Sequence, residues 1–400
     1  MTIPILGNTW AVGLVFQTHL IIVAFIMGIA ILAPAAEWAG LRRGDERWAA
    51  FSRQLGSTIV RLFAFGATWA VFAVVFIFAL FPRLWGELTS IFFWPLIVIA
   101  GGIWFVMSVS AYLYYETWDR LKDHRGLHIL IGVVFATSAF IFITLIVELT
   151  SYQLTPVPPT SLAAAAFNPS WLTEVIHRHI GNVSYAGLLL AGMAGGMIVF
   201  LNKNREYYDW VGHVALSVGL ILTFLQPFAG WFYANQIRLA SPDAYFRMMI
   251  GSNSFLFLTQ TLLFNLTLLL ASLYLAMTVT RGDASRLTVV WMRRFTIVIL
   301  LLTVLGFVPQ QWPLGAMRPW KYISIGGTWV LAAASLILYL KTSHTFVFGR
   351  ISKGSQAVLV AVGVIIVALI INMGVIRESA RGSYLIYGQP GSGQGQQFLP

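Results

Sequence analysis

The chain has 400 residues, 58% of them hydrophobic and 10% charged, with a mean hydropathy of +0.79, which excludes an ordinary soluble domain. It has no cysteine, so disulfides, cysteine-held iron–sulfur clusters and thioether-linked heme are ruled out within the chain. The net charge of +11 does not call for nucleic acid, because cation-rich loops on one side of a membrane account for it.

The opening residues, MTIPILGNTW, carry no basic stretch and no small-residue cleavage site, and read as mature sequence. Apolar runs of about 20 residues then recur, each long enough to cross a bilayer as a helix. They predict ten spans, at 9–36, 57–82, 91–115, 127–150, 179–201, 208–234, 246–278, 290–309, 324–341 and 356–376. The expected class is therefore all-α: a polytopic membrane bundle forming one domain over 1–380, with a flexible Gly-rich tail over 381–400. Loops after the odd-numbered spans hold sixteen Lys and Arg, among them Arg42, Arg120, Lys203, Arg286 and Lys353. The opposite loops and the tail hold eight, and Arg61 falls within a span. This bias puts both termini on the outer side of a bacterial cytoplasmic membrane. The outer segments include Thr155-Pro156-Val157-Pro158-Pro159 and Arg318-Pro319-Trp320. Rigid aromatic loops on one face place the working site there, or else are interfacial belt residues.

Ionisable groups inside a bilayer are costly and are functional candidates by default. His19 lies about ten residues into the first span. It is either a ligand or a buried histidine bonded to a neighbouring carbonyl. His177-Arg178-His179 stand where the fifth span enters the bilayer, above Gly181, Gly187, Gly192, Gly195 and Gly196. Imidazole is the usual nitrogen ligand of heme iron, and a low glycine surface accepts something flat; the alternative is a solvated pair above close helix packing. The seventh span opens with Phe246-Arg247-Met248-Met249. Met249 and His179 fall at similar depth, and a thioether with an imidazole makes a six-coordinate low-spin heme. Arg247 is placed to pair with a propionate. His128, His213, His124 and His344 read as interfacial. Of the 14 acidic residues, Glu148 alone falls well inside a span, with Glu174 just outside near His179.

His19, Trp118-Asp119-Arg120-Leu121, Phe167-Asn168-Pro169 leading to His179 and Tyr185, Phe246-Arg247-Met248-Met249, and Arg318-Pro319-Trp320 follow one another in order. This series resembles subunit I of the cytochrome bd quinol oxidases, from the N-terminus to about residue 340. The resemblance implies that His179 and Met249 are the axial ligands of a low-spin heme b, with Arg247 beside them and His177 as the alternative imidazole. It implies that His19 is the axial ligand of a further heme, with Arg318 and Trp320 also at the cofactor site. It further implies quinone or quinol as substrate and a subunit II-like membrane partner.

The departures bear on activity. The family's two glutamates of the third helix correspond to Ile99 and Met107, and its later heme-ligating glutamate to Gln310. The family's long quinol-binding loop shrinks to Tyr233–Tyr245, where Arg238 and Glu174 are the nearest quinol-site residues by sequence, unless both are solvated rim charges. Apolar side chains do not relay protons. The expected function is therefore a heme-b subunit of a respiratory complex. It would exchange electrons between quinol and a partner redox protein, such as an outer-face cytochrome c or iron–sulfur protein. A divergent terminal oxidase is the alternative, and a heme-free transporter is the alternative of another class.

Overall fold

The computed structural model describes residues 7–157, 161–249, 251, 254–306, 320–381, 384–386 and 389–390. In chain order the helices are α1 (Asn8–Arg43), α2 (Glu46–Leu80), α3 (Pro82–Phe92), a π-helix (Phe93–Ala100) and α4 (Gly101–Glu116). Then come α5 (Arg125–Tyr152), α6 (Leu162–Ala166), α7 (Trp171–Val199), α8 (Arg205–Thr223) and α9 (Gln226–Ala240). The last are α10 (Pro242–Met249), α11 (Ser254–Thr278), α12 (Arg286–Gly306), α13 (Trp320–Thr342) and α14 (Lys353–Arg381). Ten helical segments are long and apolar enough to cross a membrane, so the class is an all-α polytopic bundle. In the tail, Tyr384–Ile386 pairs antiparallel with Gln389–Pro390.

Local chemistry sets the breaks between helices. After Arg42 and Arg43 in its last turn, α1 stops at Gly44, whose φ of +64° suits glycine. Asp45 then caps α2, accepting from the Arg47 amide at 3.0 Å. The Arg47 guanidinium bonded to this carboxylate holds it below the usual carboxylate range. Pro82 opens α3 and Pro227 stands in the first turn of α9, where a missing amide costs nothing.

The helices gather into two compact units. One comprises residues 1–183, 225–254 and 374–400, the other 184–224 and 255–373. In the first, Val12, Phe81, Leu84, Phe92 and Tyr152 form a buried cluster in which Phe92 and Tyr152 meet edge-on at 5.3 Å. In the second, several helices approach closely at glycines. A Cβ on Gly187 would lie 2.7 Å from Gly219, and one on Gly192 would lie 2.6 Å from Gly363. These glycines therefore serve helix–helix contact, and the flat surface expected for a cofactor along α7 is covered at Gly187, Gly192 and Gly195 by other helices.

The helix bounds depart from the hydropathy windows, and four expectations change. The fifth span starts at Trp171, so His177 and His179 lie about two turns inside a helix. The seventh span starts at Ser254, and Met249 instead ends the separate helix α10. The third span is interrupted by the π-helix around Pro95, which lacks the amide a regular turn needs.

The fourth change concerns polar residues. Glu37, Glu174 and Asp209 are buried along with Glu148, so the interior is richer in carboxylates than expected. His128 is fully buried rather than interfacial, bonded to Glu37. His213 packs among Tyr339, Phe346 and Phe348.

The second unit carries a buried ion pair. Arg281 donates to Asp209 at 2.7 Å, with 1% and 0% of their side chains exposed. The Gly349 amide donates to the other Asp209 oxygen at 2.8 Å. Tyr274, Tyr339, Phe346 and Phe348 surround the guanidinium, the Phe346 ring lying 4.7 Å away.

The cation bias makes a prediction about sidedness. Reporter fusions placed after Lys203 and at the C-terminus are expected to report opposite sides of the membrane. The same side for both would mean that the span count is wrong, since an odd number of crossings separates the two positions.

Candidate functional site

The site is built from the N-terminal half of α7 with α5, α9 and the end of α14, all within the first unit. Asn168 fixes the entry to α7: its amide donates to Ser151 Oγ at 2.8 Å and to the Ala165 carbonyl at 3.1 Å. Thr155 ties the same turn through Asn168 and Ser170.

Glu174 is the hub. Arg178 reaches its carboxylate at 3.0 Å, Arg377 at 2.9 Å, the Tyr233 hydroxyl at 2.9 Å and the Thr150 hydroxyl at 3.1 Å. Only 1% of Glu174 is exposed. It is therefore no solvated rim charge. Two charge-assisted bonds and two hydroxyls satisfy both of its oxygens, which suits holding α5, α7, α9 and α14 together better than accepting a proton. Arg238 is exposed on α9 and donates to Asn235 at 2.9 Å.

The two histidines of α7 face different helices. His179 stacks on Phe140 of α5, with ring centroids 3.8 Å apart, and its Nε2 lies 3.1 Å from Thr144 Oγ1. The Thr144 hydroxyl proton goes to the Phe140 carbonyl, so His179 Nε2–H donates to Thr144 and Nδ1 keeps the lone pair. His177 turns to α9. Gly230 lies beside its ring, Tyr233 is 5.7 Å away, and Gln226 donates to its backbone carbonyl at 3.1 Å. His177 Nδ1 is buried without a hydrogen-bond partner among the described residues. An orphaned ring nitrogen is costly unless a ligand or metal takes it up.

His19 is held against α2, with Nδ1 3.1 Å from the Gly66 carbonyl. A carbonyl only accepts, so Nδ1 carries the proton and Nε2 is left with a lone pair, as in a metal-ligating histidine oriented from behind. Arg247 and Met249 are half-buried on α10, which contacts α9. Trp320 opens α13, whereas Arg318 and Gln310 lie outside the described residues. Glu148, on α5 one turn beyond Thr144, is buried, and its Oε2 has no hydrogen-bond partner among the described residues.

Chemically, this arrangement offers imidazole nitrogens with free lone pairs at His19 and at the His177–His179 pair. It also offers a thioether at Met249 and a carboxyl at Glu148 able to take a proton. These groups are of the kind that ligates heme iron: the His177 nitrogen without a hydrogen-bond partner among the described residues fits a ligand, while the His19 bond to the Gly66 carbonyl suits a ligand oriented from behind and a buried structural histidine alike.

The profile of cytochrome bd terminal oxidase subunit I matches residues 9–245. The chain belongs to the cytochrome bd terminal oxidase subunit I family. The match takes in His19, Glu174, His177, His179 and Arg238, and ends just before Arg247 and Met249. The bd oxidase of Geobacillus thermodenitrificans shares the fold at 14% identity and a TM-score of 0.53, covering 93% of this chain and 97% of that one. No curated protein matches the chain. Family membership makes this a multi-pass inner-membrane subunit of the heme-bearing quinol oxidase class, whose members work with further membrane subunits.

Proposed function

We propose that the chain is a heme-b electron-transfer subunit, passing electrons between quinol and a partner redox protein of the cytochrome c or iron–sulfur kind. The observation that carries this reading is the pair of α7 imidazoles, each with a lone-pair nitrogen, in a family that binds heme. Heme b, when bound, supplies one-electron chemistry. His179 or His177, together with Met249, would hold its iron. Arg247 would neutralise a propionate, Arg318 and Trp320 would line the cofactor, and His19 would hold a further heme through Nε2.

Quinol gives up protons with its electrons, so a base must stand near the site. Glu148 suits this better than Glu174, because one Glu148 oxygen is unengaged while two arginines hold Glu174. Arg238, exposed on α9, is available to donate a hydrogen bond to a quinol oxygen.

A terminal oxidase that reduces oxygen is the second reading. The oriented His19, able to leave an iron position open, favours it. Oxygen uptake by the purified complex with reduced quinol separates the two. Negligible uptake alongside a low-spin heme b spectrum supports electron transfer; cyanide-sensitive uptake above about 10 per second, a typical enzyme rate, overturns it.

The ligands are tested by substitution. Met249→Leu keeps the volume and removes the sulfur, and is expected to lower the heme potential and weaken the low-spin signal. An unchanged spectrum and potential would remove Met249 from the iron. In parallel, His177→Ala and His179→Ala are expected to differ, with one abolishing the low-spin heme and the other retaining it.

A further inference from the structure

We propose that Glu37 and His128 form a buried proton-exchange site, served from the hollow at Arg53 and Asp119 through the Tyr114 hydroxyl. The inference is independent of which residues ligate heme.

Four helices of the first unit meet at this point. Glu37 comes from α1, Ser52 from α2, Tyr114 from α4, and Arg125 and His128 from α5. The exposed fractions of Glu37, Ser52, Tyr114 and His128 are 3%, 0%, 2% and 0%. Tyr114 donates to Glu37 at 2.9 Å and lies 2.8 Å from Ser52 Oγ. His128 Nδ1 is 2.8 Å from both Glu37 oxygens, and His128 Nε2 is 2.8 Å from the Tyr114 carbonyl.

The proton count follows from these partners. A backbone carbonyl can only accept, so His128 Nε2 carries a hydrogen. Between Nδ1 and the carboxylate there must then be one proton, shared as imidazolium–carboxylate or as neutral imidazole–carboxylic acid. Without it, two lone pairs would face each other at 2.8 Å. Arg125, 3.5 Å from Glu37 and 4.4 Å over the Trp118 ring, is the further cation facing the carboxylate. From α2 the group in contact is the neutral Ser52 hydroxyl.

An ion pair sealed on all sides would be a brace and nothing more. This one has an outlet. A hollow of about 520 Å³ is lined by Tyr114 itself, with Arg53, Gln54, Ser57, Trp118 and Asp119. Asp119 and Arg53, ion-paired at 2.7 Å, keep 77% and 57% of their side chains exposed and mark its mouth. The buried Ser52 hydroxyl lies 2.8 Å from the Tyr114 oxygen, so that Tyr114, which lines the hollow, also stands in the hydrogen-bonded series Ser52–Tyr114–Glu37.

The tyrosine is also held in place. A Cβ on Gly132 would lie 2.7 Å from its ring, and one on Gly56 3.5 Å from it. Transfer is balanced: a hydronium in the hollow gives a proton to the Tyr114 oxygen as Tyr114 passes its own to the Glu37–His128 pair. Tyrosine ends neutral, and one proton has moved inward.

The test is infrared spectroscopy of the intact, purified protein during hydrogen–deuterium exchange. A carboxyl or imidazole band lost in both Glu37→Gln and His128→Gln is expected to exchange rapidly despite full burial. Tyr114→Phe, which keeps the ring, is expected to slow that exchange at least tenfold, and Ser52→Ala to slow it less. Thermal unfolding of each variant shows whether it is folded. A band that exchanges as fast in folded Tyr114→Phe as in the parent would overturn the route. So would a parent in which the Glu37 and His128 bands do not exchange, leaving a fixed structural ion pair.

Discussion

Replacing Asp209 by alanine is expected to destabilise the second unit by about 3–5 kcal/mol, the usual penalty for leaving a buried partner charge uncompensated. Arg281 and Asp209 are almost completely excluded from solvent, and the carboxylate also takes the Gly349 amide. Its loss strands a guanidinium among aromatic rings that offer it only partial compensation. Denaturant unfolding in detergent measures the effect. The double variant Asp209→Leu with Arg281→Met is expected to recover most of the loss, because removing both charges also removes the desolvation cost. A single Asp209→Ala protein as stable as the parent would mean that water or lipid headgroups reach Arg281.

The second large effect is at Glu174, which joins the helix carrying the two proposed heme imidazoles to its neighbours. Glu174→Ala leaves Arg178 and Arg377 without their carboxylate; both keep about a fifth of their side chains exposed, so the expected cost is discounted to about 2–3 kcal/mol. The same change frees Tyr233 and Thr150, which fix α9 and α5 around His177 and His179. Heme content per protein is therefore expected to fall more than overall helicity does. Glu174→Gln, which keeps the shape and can still accept from Tyr233, is expected to retain more heme than Glu174→Ala. Equal heme content in all three proteins would separate this cluster from the cofactor site.

Hydropathy made ten spans legible because bilayer thickness and helix rise leave little freedom in how apolar residues are grouped. The ordered motifs made the family legible for the same chain, His19 and Asn168-Pro169 included. The buried polar groups were not legible. Glu37 and His128 lie 91 residues apart, and Asp209 and Arg281 lie 72 apart. A sequence window sees each as a polar residue at the end of an apolar run, which is also how a loop residue looks. Only the fold shows that each has a partner. The orientations of His177 and His179 were hidden for a related reason: two positions apart on a helix, they point to different neighbours, and sequence does not say which neighbour is where.

The π-helix at Phe93–Ala100 alters how this chain should be compared with acid-bearing relatives. Counting along the sequence pairs Ile99 with Met107, yet Ile99 is 52% exposed, whereas Ala100 and Met107 are 1% and 2% exposed. Each residue turns a helix by about 100°, so a shift of one position decides whether a side chain points inward or outward. Two carboxylates transplanted by counting would be parted, one inside and one on the outer rim of the bundle. Transplanted by position in space, as Ala100→Glu with Met107→Glu, they would share the inner face, seven residues and nearly two full turns apart.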